Sequence, residues 1–463
     1  MKSESADFAP FEPTSQEPWD LKKVAHLHRR AGFGGAWKEL QRDLAAGPAE
    51  SIERMLHPRP ESHQFKIVAE ALKRAIGTNL ELYSRGDPRL AQAWWLYRMA
   101  YGQDPLGEKL TLFWHNHFAT GLHGVYRLQL MLDQNELFRT HARVRFADLL
   151  RGIESDRAML RWLDGGTNQR EHPNENFSRE LLELFTLGVG NYTEKDVKEA
   201  ARGLTGWRPG RDELLQSTND FIYEDKLADT GTKTFLGQTG PWRRDDILRI
   251  ILEQPATAVH ICRKLYRWFV SEAGPPSDEL IQPLAVEFRA SDYSIEHVVG
   301  IILRSRHFFS PAAYRQRVKS PVEFCVGTIR QLEPARSPNL LTLAAISCEE
   351  QGQILFDPPS VKGWDGGTAW LNSATTLARF NWVVQLLSGN EAAGLPAYDA
   401  ERWAKENGIK SADAINSYSA LLLENDMNCA TQKLATRLAG ADPKPQLPAA
   451  LQVILKSPEY QLA

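Results

Sequence analysis

The chain is poor in cysteine, and its few cysteines are widely scattered. Among 463 residues there are four, namely Cys262, Cys325, Cys348 and Cys429. Because no two of them form a C-x-x-C pair, their spacing predicts neither a zinc site nor a thiol redox site. We expect them to be buried free thiols.

The chain also lacks long apolar runs. A transmembrane helix needs about 18 or more consecutive apolar residues, and no such stretch occurs, so we expect no insertion into a membrane. Within residues 1–20 the only basic residue is Lys2, and no segment resembles the apolar core of a signal peptide. These features predict a soluble protein of the cytoplasm.

Neither sign of charge is in large excess. The 55 lysines and arginines nearly balance the 58 aspartates and glutamates, which gives a net charge of −3, and the two signs are interspersed along the chain. A protein that binds nucleic acid generally carries a basic excess that complements the phosphate backbone. We therefore expect no nucleic-acid partner, and composition leaves the partner and the oligomeric state unknown.

Helical periodicity is abundant in this chain. Apolar residues recur in steps of three and four, the pattern of an amphipathic helix. The clearest segments are residues 21–30, 91–101, 179–187, 245–252, 258–270 and 295–303. Thr193 with Asp196 three residues later is typical of a capped helix start, and Gly188 and Gly190 indicate a helix end. The sequence predicts a mainly α fold built as a large multi-helix domain.

The helical pattern lapses over residues 210–242. Residues 220–223 and 234–236 resemble short strands, and several glycines flank them. We predict a small β-hairpin or structured loop inserted at this point of the helical body.

The domain organisation follows from these patterns. Residues 1–18 are polar and rich in proline, which predicts a disordered tail. We expect a single large helical domain over residues 19–463. Its two halves, about 19–207 and 241–463, are joined by the insertion at 208–240.

The first motif that could carry chemistry is EKLTLFWHNHF at residues 108–118. Successive residues of a helix are rotated by about 100°. Glu108 and His115 would therefore share a face, while His115 and His117 would point in nearly opposite directions and could not share a metal. On an extended segment the two histidines would face the same way. The motif indicates either a metal site or two helix histidines hydrogen-bonded within the structure.

The second motif is WLDGGTNQREHPNENFSRELLELFTL at residues 162–187, where many polar groups precede an apolar helix. Asn176, Glu180 and Glu183 follow helical steps and share one stripe, and Arg179 is expected to reach Glu183 four residues later. Two neighbouring carboxylates repel each other unless a cation or a shared proton compensates them, and this raises one pKa. The stripe is either an acid–base site or a solvent-exposed face that an arginine neutralises.

The third motif is a glycine-rich turn between two tryptophans, within residues 356–381. Trp364, Asp365 and Trp370 are its candidate ligand-binding residues. Exposed tryptophans beside an aspartate would suit a sugar or another flat ligand, whereas buried ones would fasten the loop to the core. The lysine and glycine spacing matches neither a Walker loop nor a dinucleotide fingerprint.

These motifs and several others occur together in an order that resembles a bacterial protein family. The stretches that carry the resemblance are 26–34 (HLHRRAGFG), 110–118 (LTLFWHNHF), 173–192 (PNENFSRELLELFTLGVGNY), 197–207, 233–240, 319–324 (KSPVEF) and 358–370. From about residue 20 to the C-terminus the chain resembles the domain-of-unknown-function family numbered eighteen hundred. No activity is assigned to that family, so the resemblance implies no reaction. Its members are often exported, but residues 1–20 carry no such signal.

Two functions compete at this point. In the first, the chain is an enzyme with a polar pocket between packed helices. The candidate catalytic residues are His115, His117, Asn176, Arg179, Glu180 and Glu183. This hypothesis allows a divalent metal to bridge them, with Glu180 or Glu183 as general base and Arg179 orienting an anionic or carbonyl group. The reaction class stays open between hydrolysis and redox chemistry.

In the second, the chain is a non-catalytic binding or assembly protein. The loop with Trp364 and Trp370, together with the insertion at 210–242, would contact a polysaccharide or a protein. The polar clusters would then be buried networks that stabilise helix packing. The sequence does not decide whether the chain is an enzyme.

Overall fold

The structure is a computed structural model that describes residues 8–82, 87–211, 217–391, 394–410, 413–439 and 443–463. The chain is 63% helical, and these residues form 23 α-helices and two small antiparallel sheets of two strands each. The predicted mainly α fold is confirmed.

In the described residues, twelve α-helices precede the sheets. They are α1 (Leu21–Ala31), α2 (Trp37–Ala46), α3 (Pro48–Leu56), α4 (His63–Leu82), α5 (Pro88–Tyr101), α6 (Pro105–His117), α7 (Leu122–Val125), α8 (Leu128–His141), α9 (Phe146–Glu154), α10 (Arg157–Trp162), α11 (Asn176–Glu180) and α12 (Glu194–Gly203). A π-helical turn, Leu181–Thr186, continues α11 without a break.

Eleven α-helices of the described ranges follow the sheets. They are α13 (Arg244–Glu253), α14 (Pro255–Phe269), α15 (Asp278–Ala290), α16 (Ile295–Arg304), α17 (Pro321–Leu332), α18 (Pro338–Glu350), α19 (Ser373–Ser388), α20 (Ala400–Glu406), α21 (Ala414–Leu423), α22 (Cys429–Ala439) and α23 (Pro443–Lys456).

The start of α12 has the cap that its sequence predicts. Thr193 Oγ1 accepts a hydrogen bond from the Asp196 backbone N–H at 3.3 Å, and Asp196 Oδ2 accepts one from the Thr193 backbone N–H at 2.9 Å. This reciprocal pair satisfies two backbone groups that a helix start leaves without partners.

The insertion between the two sets of helices contains two hairpins. The paired strands are β1 (Trp207–Arg211) with β2 (Ser217–Tyr223), and β3 (Lys233–Phe235) with β4 (Gln238–Gly240). Both pairs are antiparallel, with Trp207 opposite Tyr223 and Phe235 opposite Gln238. The Phe235 side chain is buried among helices, so the second hairpin is anchored to the helical body.

Apolar side chains pack into two cores, and both halves of the chain contribute to each core. One core contains Trp95 from α5 and Trp382 from α19. The other contains Trp114 from α6 and Phe269 from α14. Helix α6 belongs to both cores, because its Leu112 lies in the first and its Trp114 in the second.

Part of the segment for which we predicted disorder contacts the helical body. The Phe11 backbone N–H donates to the Arg304 carbonyl at 2.7 Å, and the Phe11 ring is buried against the Phe309 ring at a centroid distance of 5.1 Å. Phe8, whose ring lies 5.9 Å from that of His307, and the Ala9 carbonyl, which accepts from the Arg306 backbone N–H at 2.9 Å, add to this anchoring. Residues 1–7 of the predicted tail lie outside the described part of the chain.

The cysteines differ in burial. Cys262, Cys325 and Cys348 are buried free thiols, as expected, whereas Cys429 is exposed.

None of the helices in the described ranges combines the length and the apolar character that crossing a lipid bilayer requires.

Candidate functional site

Three consecutive polar residues end α6, and the first two contact a different part of the molecule from the third. His115, Asn116 and His117 lie in the last turn of that helix. Because successive helix residues are rotated by about 100°, the two histidine side chains point in nearly opposite directions. The motif is therefore helical and not extended at the two histidines, and their side chains do not meet at one site.

His115 contacts the loop that precedes Trp364. Its ring is buried, and its Nε2 accepts a hydrogen bond from the Phe356 backbone N–H at 3.2 Å. The ring packs against Trp95 and Trp364 at centroid distances of 5.3 and 5.6 Å. Burial lowers the pKa of His115 to about 3, so the imidazole is neutral. His115 thus fastens this loop to α6.

Asn116 holds the next part of the same loop. Its side-chain Oδ1 accepts a hydrogen bond from the Trp364 backbone N–H at 2.7 Å. The preceding residue, Gly363, has a φ of +83°, and a Cβ there would lie 2.3 Å from Asn116 Oδ1. Glycine at this position permits both the left-handed backbone and the close approach. We refer to residues 362–370 as the tryptophan loop.

His117 contacts the end of the π-helical turn and a lysine of α14. Its Nδ1 lies 3.0 Å from Lys264 Nζ and its Nε2 lies 3.1 Å from the Phe185 carbonyl oxygen. An ammonium group only donates, so Nδ1 is the acceptor and Nε2 carries the proton. Burial, together with the charge of Lys264, lowers the pKa of His117 well below its ordinary value. The ring is therefore a neutral imidazole of defined tautomer.

Two side chains of α14 bind the neighbouring carbonyl group of the π-helical turn. The Leu184 carbonyl oxygen accepts hydrogen bonds from His260 Nε2 and Lys264 Nζ, each at 2.9 Å. The last carbonyl groups of a helix have no partner within the helix. Here the carbonyls of Leu184 and Phe185 find partners in side chains, which fixes the end of the turn against α6 and α14.

These contacts border a cavity of about 370 Å³ among α6, α14, the π-helical turn and the tryptophan loop, which we call the α6–α14 cavity. A cavity of this size suits a small-molecule ligand. Its aromatic wall comprises Phe113, Trp268, Trp364 and Trp370. Its charged and ionisable side chains are His117, His260, Lys264, Arg267, Glu272, Arg317, Lys362 and Asp365.

Two of the cations in this cavity have carboxylate partners. Arg317 Nε lies 3.0 Å from Glu272 Oε1, and Lys362 Nζ lies 3.1 Å from Asp365 Oδ1. Arg317 also pairs with Glu323 at 3.2 Å, and Glu323 in turn pairs with Lys109, so the positive and negative charges of these groups balance. Each of the two carboxylates of the cavity wall therefore already has a cationic partner.

Lys264 and Arg267 have no such partners. Among the residues that the structure describes, no carboxylate lies within ion-pairing distance of either side chain, and Lys264 Nζ bonds to two uncharged acceptors. Burial, and then the charge of Arg267, lowers the pKa of Lys264 to about 8. The cavity thus contains two adjacent cations without compensating negative charge.

None of the four candidate catalytic residues of the second motif, Asn176, Arg179, Glu180 and Glu183, lines this cavity. Asn176 is exposed, and Arg179 forms ion pairs with Glu194 at 2.8 Å and Glu175 at 3.1 Å. Arg179 therefore does not form the predicted pair with Glu183. This part of α11 is therefore an exposed face that an arginine neutralises, which is one of the two alternatives that the sequence left open.

The two carboxylates of that motif lie close to each other. Burial, and then the charge of Glu183, raises the pKa of Glu180. Glu183 accepts a hydrogen bond from Tyr192 Oη at 3.0 Å and lines a second cavity of about 600 Å³. Leu184 and His260 line both cavities. Glu183 is therefore adjacent to the α6–α14 cavity without lining it.

The three candidate ligand-binding residues line the α6–α14 cavity together with His117. Trp370 is buried, Trp364 is half-buried and Asp365 is exposed. The tryptophan loop therefore packs onto the core and also forms a cavity wall, so the two alternatives for this motif are not exclusive.

The geometry offers no support for the metal that the enzyme hypothesis allowed. In the described part of the chain, no three histidine, cysteine, aspartate or glutamate side chains are grouped so that they could hold a metal ion. Glu108, on the same face as His115, instead pairs with Arg98 at 2.7 Å and Arg139 at 2.8 Å. Burial acts to raise its pKa, but the charges of these arginines lower the pKa of Glu108 to about 2.

Sequence motifs did not indicate the α14 side chains His260, Lys264 and Arg267. The amphipathic pattern of 258–270 places the two cations on its polar side, which is typical of a solvated face. One signal was present, however. Residues 254–271 contain no aspartate or glutamate, so no carboxylate lies within four residues of Lys264 or Arg267 in the sequence.

Comparison with known proteins identifies one family. A family model described as a protein of unknown function (DUF1800) matches residues 26–462. This match confirms the resemblance that the motifs indicated. Neither a curated protein nor a solved structure matches the chain.

Proposed function

The chain belongs to the DUF1800 family of proteins of unknown function, and we propose that its α6–α14 cavity binds a small anionic molecule. Family membership supplies no activity, so the proposal rests on the geometry of this cavity. The proposed site combines residues of the motif at 110–118, which the enzyme hypothesis used, with the tryptophan loop, which the binding hypothesis used. It makes no use of Asn176 or Arg179.

The observation that carries the proposal is the uncompensated cation pair of Lys264 and Arg267. Lys264 is half-buried without a counter-charge, which is unfavourable, and Arg267 beside it is exposed and has no carboxylate partner among the described residues. Such a pair favours an anion from solution. Side chains three residues apart on a helix are neighbours, and Arg267 lies one such step beyond Lys264 on α14. Together they suit a carboxylate or phosphate group.

The aromatic wall supports binding of a small organic anion. The Phe113 and Trp268 rings contact each other at a centroid distance of 5.6 Å, and Trp364 and Trp370 lie on the tryptophan loop. Apolar walls lower the local dielectric constant, so a charge interaction is stronger there than on an open surface. They also provide contact area for the uncharged part of a ligand.

The proposal is tested by titrating the protein with inorganic phosphate at low ionic strength. Binding is followed by the intrinsic fluorescence of the tryptophans in the wall. We expect a saturable change in the wild type. Lys264→Met and Arg267→Gln should each weaken binding about tenfold or more, which corresponds to about 1.4 kcal/mol. Added salt should weaken binding further.

Arg263→Gln is the matched control. Arg263 is a cation of the same helix, but it already has a carboxylate partner, Asp278, at 2.5 Å. Its loss should leave phosphate affinity within about twofold of the wild type, because paired surface charges contribute little. Absence of saturable binding in the wild type, or an equal loss in all three variants, would contradict the proposal.

A further inference from the structure

Lys264 differs from another lysine of the α6–α14 cavity in the groups that its Nζ contacts. It is half-buried, and within the described residues its partners are uncharged, namely His117 Nδ1 at 3.0 Å and the Leu184 carbonyl at 2.9 Å. Lys362, in the same cavity wall, is exposed and pairs with Asp365 at 3.1 Å. Of these two lysines, only Lys362 has a carboxylate within ion-pairing distance.

A second buried lysine shows the same contrast. Lys109 is fully buried and forms an ion pair with Glu323. Burial lowers its pKa to about 8 as well, so Lys109 differs from Lys264 in having a carboxylate partner and in being shielded from solvent. Lys264 instead lines a cavity that is large enough for a ligand. Accessibility to a ligand and the absence of a carboxylate partner occur together at Lys264.

We infer that Lys264 is a nucleophile that forms an imine with the carbonyl group of an anionic ligand of the 2-oxo acid class. The inference rests on the proposed function, because the ligand carboxylate would bind the same site, with Arg267 as its cation. The aromatic wall then surrounds the carbonyl carbon and the short side chain of such a ligand.

The hydrogen bonds of Lys264 fit this role. A neutral amine still has two protons, which are enough for the bonds to His117 Nδ1 and the Leu184 carbonyl, and its lone pair takes the remaining tetrahedral position. The two bonds therefore do not need the ammonium form, and they orient the nitrogen. A desolvated lysine next to a second cation is a known way to activate an amine. The pKa of about 8 that burial and Arg267 impose on Lys264 leaves a substantial neutral fraction near neutral pH.

The other groups facing Nζ do not oppose the neutral amine. On α14 itself, burial, with the charge of Lys264 as the next cause, lowers the pKa of His260 to about 4. The same two causes hold the pKa of His117, from α6, well below its ordinary value. Both imidazoles are therefore uncharged near neutral pH. The remaining charged groups of the wall form the pairs Glu272 with Arg317 and Asp365 with Lys362.

The reaction needs no oxidant, reductant or further reactant. The lone pair of Lys264 Nζ attacks the carbonyl carbon, and the C–N bond forms as the C=O π electrons move to oxygen. The carbonyl oxygen takes up two protons, equal in number to those that the amine nitrogen gives up, and leaves as water. The product is a C=N bond between Nζ and the former carbonyl carbon.

The test is reductive trapping. The wild type is incubated with pyruvate and sodium cyanoborohydride, digested and mapped by mass spectrometry. We expect the reduced adduct, N-(1-carboxyethyl)lysine at position 264, to form at least about tenfold faster than on any exposed lysine. Acetone, which has the carbonyl but no carboxylate, should label Lys264 much more slowly. Arg267→Gln should slow labelling by pyruvate about tenfold and leave labelling by acetone little changed.

Two variants and the phosphate titration of the wild type separate this inference from the proposed function. Lys264→Arg replaces the primary amine by a guanidinium, so it should lose the adduct. Lys198→Arg, at an exposed position of α12, is the control and should label at Lys264 like the wild type. Phosphate binding without preferential labelling of Lys264 would overturn the imine alone. Absence of both phosphate binding and labelling in the wild type would overturn the proposed function and the imine with it.

Discussion

At the scale of single residues, neighbours in sequence have unrelated roles because their partners are far away in the chain. His115 and His117 are both candidate catalytic residues, but their hydrogen-bond partners are at Phe356 and at Phe185 and Lys264, respectively. Helical geometry, which is known from the sequence, already separates the two rings. The identity of those distant partners depends on tertiary packing, so the motif alone could not assign the roles.

Glu154 gives a residue-scale prediction about pH. It is 2% exposed at the end of α9 and accepts a hydrogen bond from Trp207 Nε1 at 3.0 Å. Burial raises its pKa to about 7 from the ordinary 4.5, although Arg244 acts in the opposite direction. Between these two values the folded state holds a proton that the unfolded state has lost, so this group's contribution to stability falls as pH rises from about 5 to 7.

Glu154→Gln should remove that pH dependence. Relative to the wild type, the variant should gain about 3 kcal/mol in free energy of unfolding between pH 5 and pH 8. Urea denaturation at both pH values measures the change. Glu253→Gln is the control, because its carboxylate is exposed and its pKa is lowered by Gln238 and Arg249, so any trend has the opposite sign. A constant difference between wild type and Glu154→Gln at the two pH values would refute the prediction.

At the scale of secondary structure, apolar periodicity located most helices but not the π-helical turn. The predicted stripe through Asn176, Glu180 and Glu183 assumed a constant helical period. In the structure the Leu187 N–H bonds to the Leu182 carbonyl, five residues back, at 2.9 Å. The longer hydrogen-bond spacing changes the rotation per residue from Leu181 onward. The residues after this point therefore do not continue the predicted stripe. The side chains that cap the turn come from α6 and α14, which local sequence cannot reveal.

The tryptophan loop gives an element-scale prediction. Gly363→Ala should destabilise the fold for two reasons, the left-handed backbone and the 2.3 Å approach of its Cβ to Asn116 Oδ1. The first reason alone costs roughly 1–2 kcal/mol, and the contact should add about 1 kcal/mol or more. It should also weaken phosphate binding, because the loop carries two tryptophans of the cavity wall. Urea denaturation and the phosphate titration measure the two effects.

Gly352→Ala is the matched control. Gly352 has a φ of +91°, and a Cβ there would meet nothing within 4 Å, so the variant bears only the backbone cost. Equal destabilisation by Gly352→Ala and Gly363→Ala would show that the Asn116 contact contributes nothing.

At the scale of the whole molecule, the α6–α14 cavity lies where distant parts of the chain meet. α6 comes from the first half, while α14 and the tryptophan loop come from the second. α6 also contributes to both apolar cores, so the cavity wall is supported by packing on both sides. Sequence patterns predicted the helical class and placed His117 and the tryptophan loop among the candidates. They could not show that Lys264 and Arg267 join them, because that depends on how α14 packs against α6.

The most direct measurement is X-ray diffraction from crystals of the protein soaked in selenate, an anion that anomalous scattering locates without ambiguity. The account predicts an anomalous peak in the α6–α14 cavity, with an anion oxygen about 2.7–3.2 Å from Lys264 Nζ and from the Arg267 guanidinium. It also predicts that the peak disappears in crystals of Lys264→Met. Selenate bound at other sites with this cavity empty would contradict the central claim.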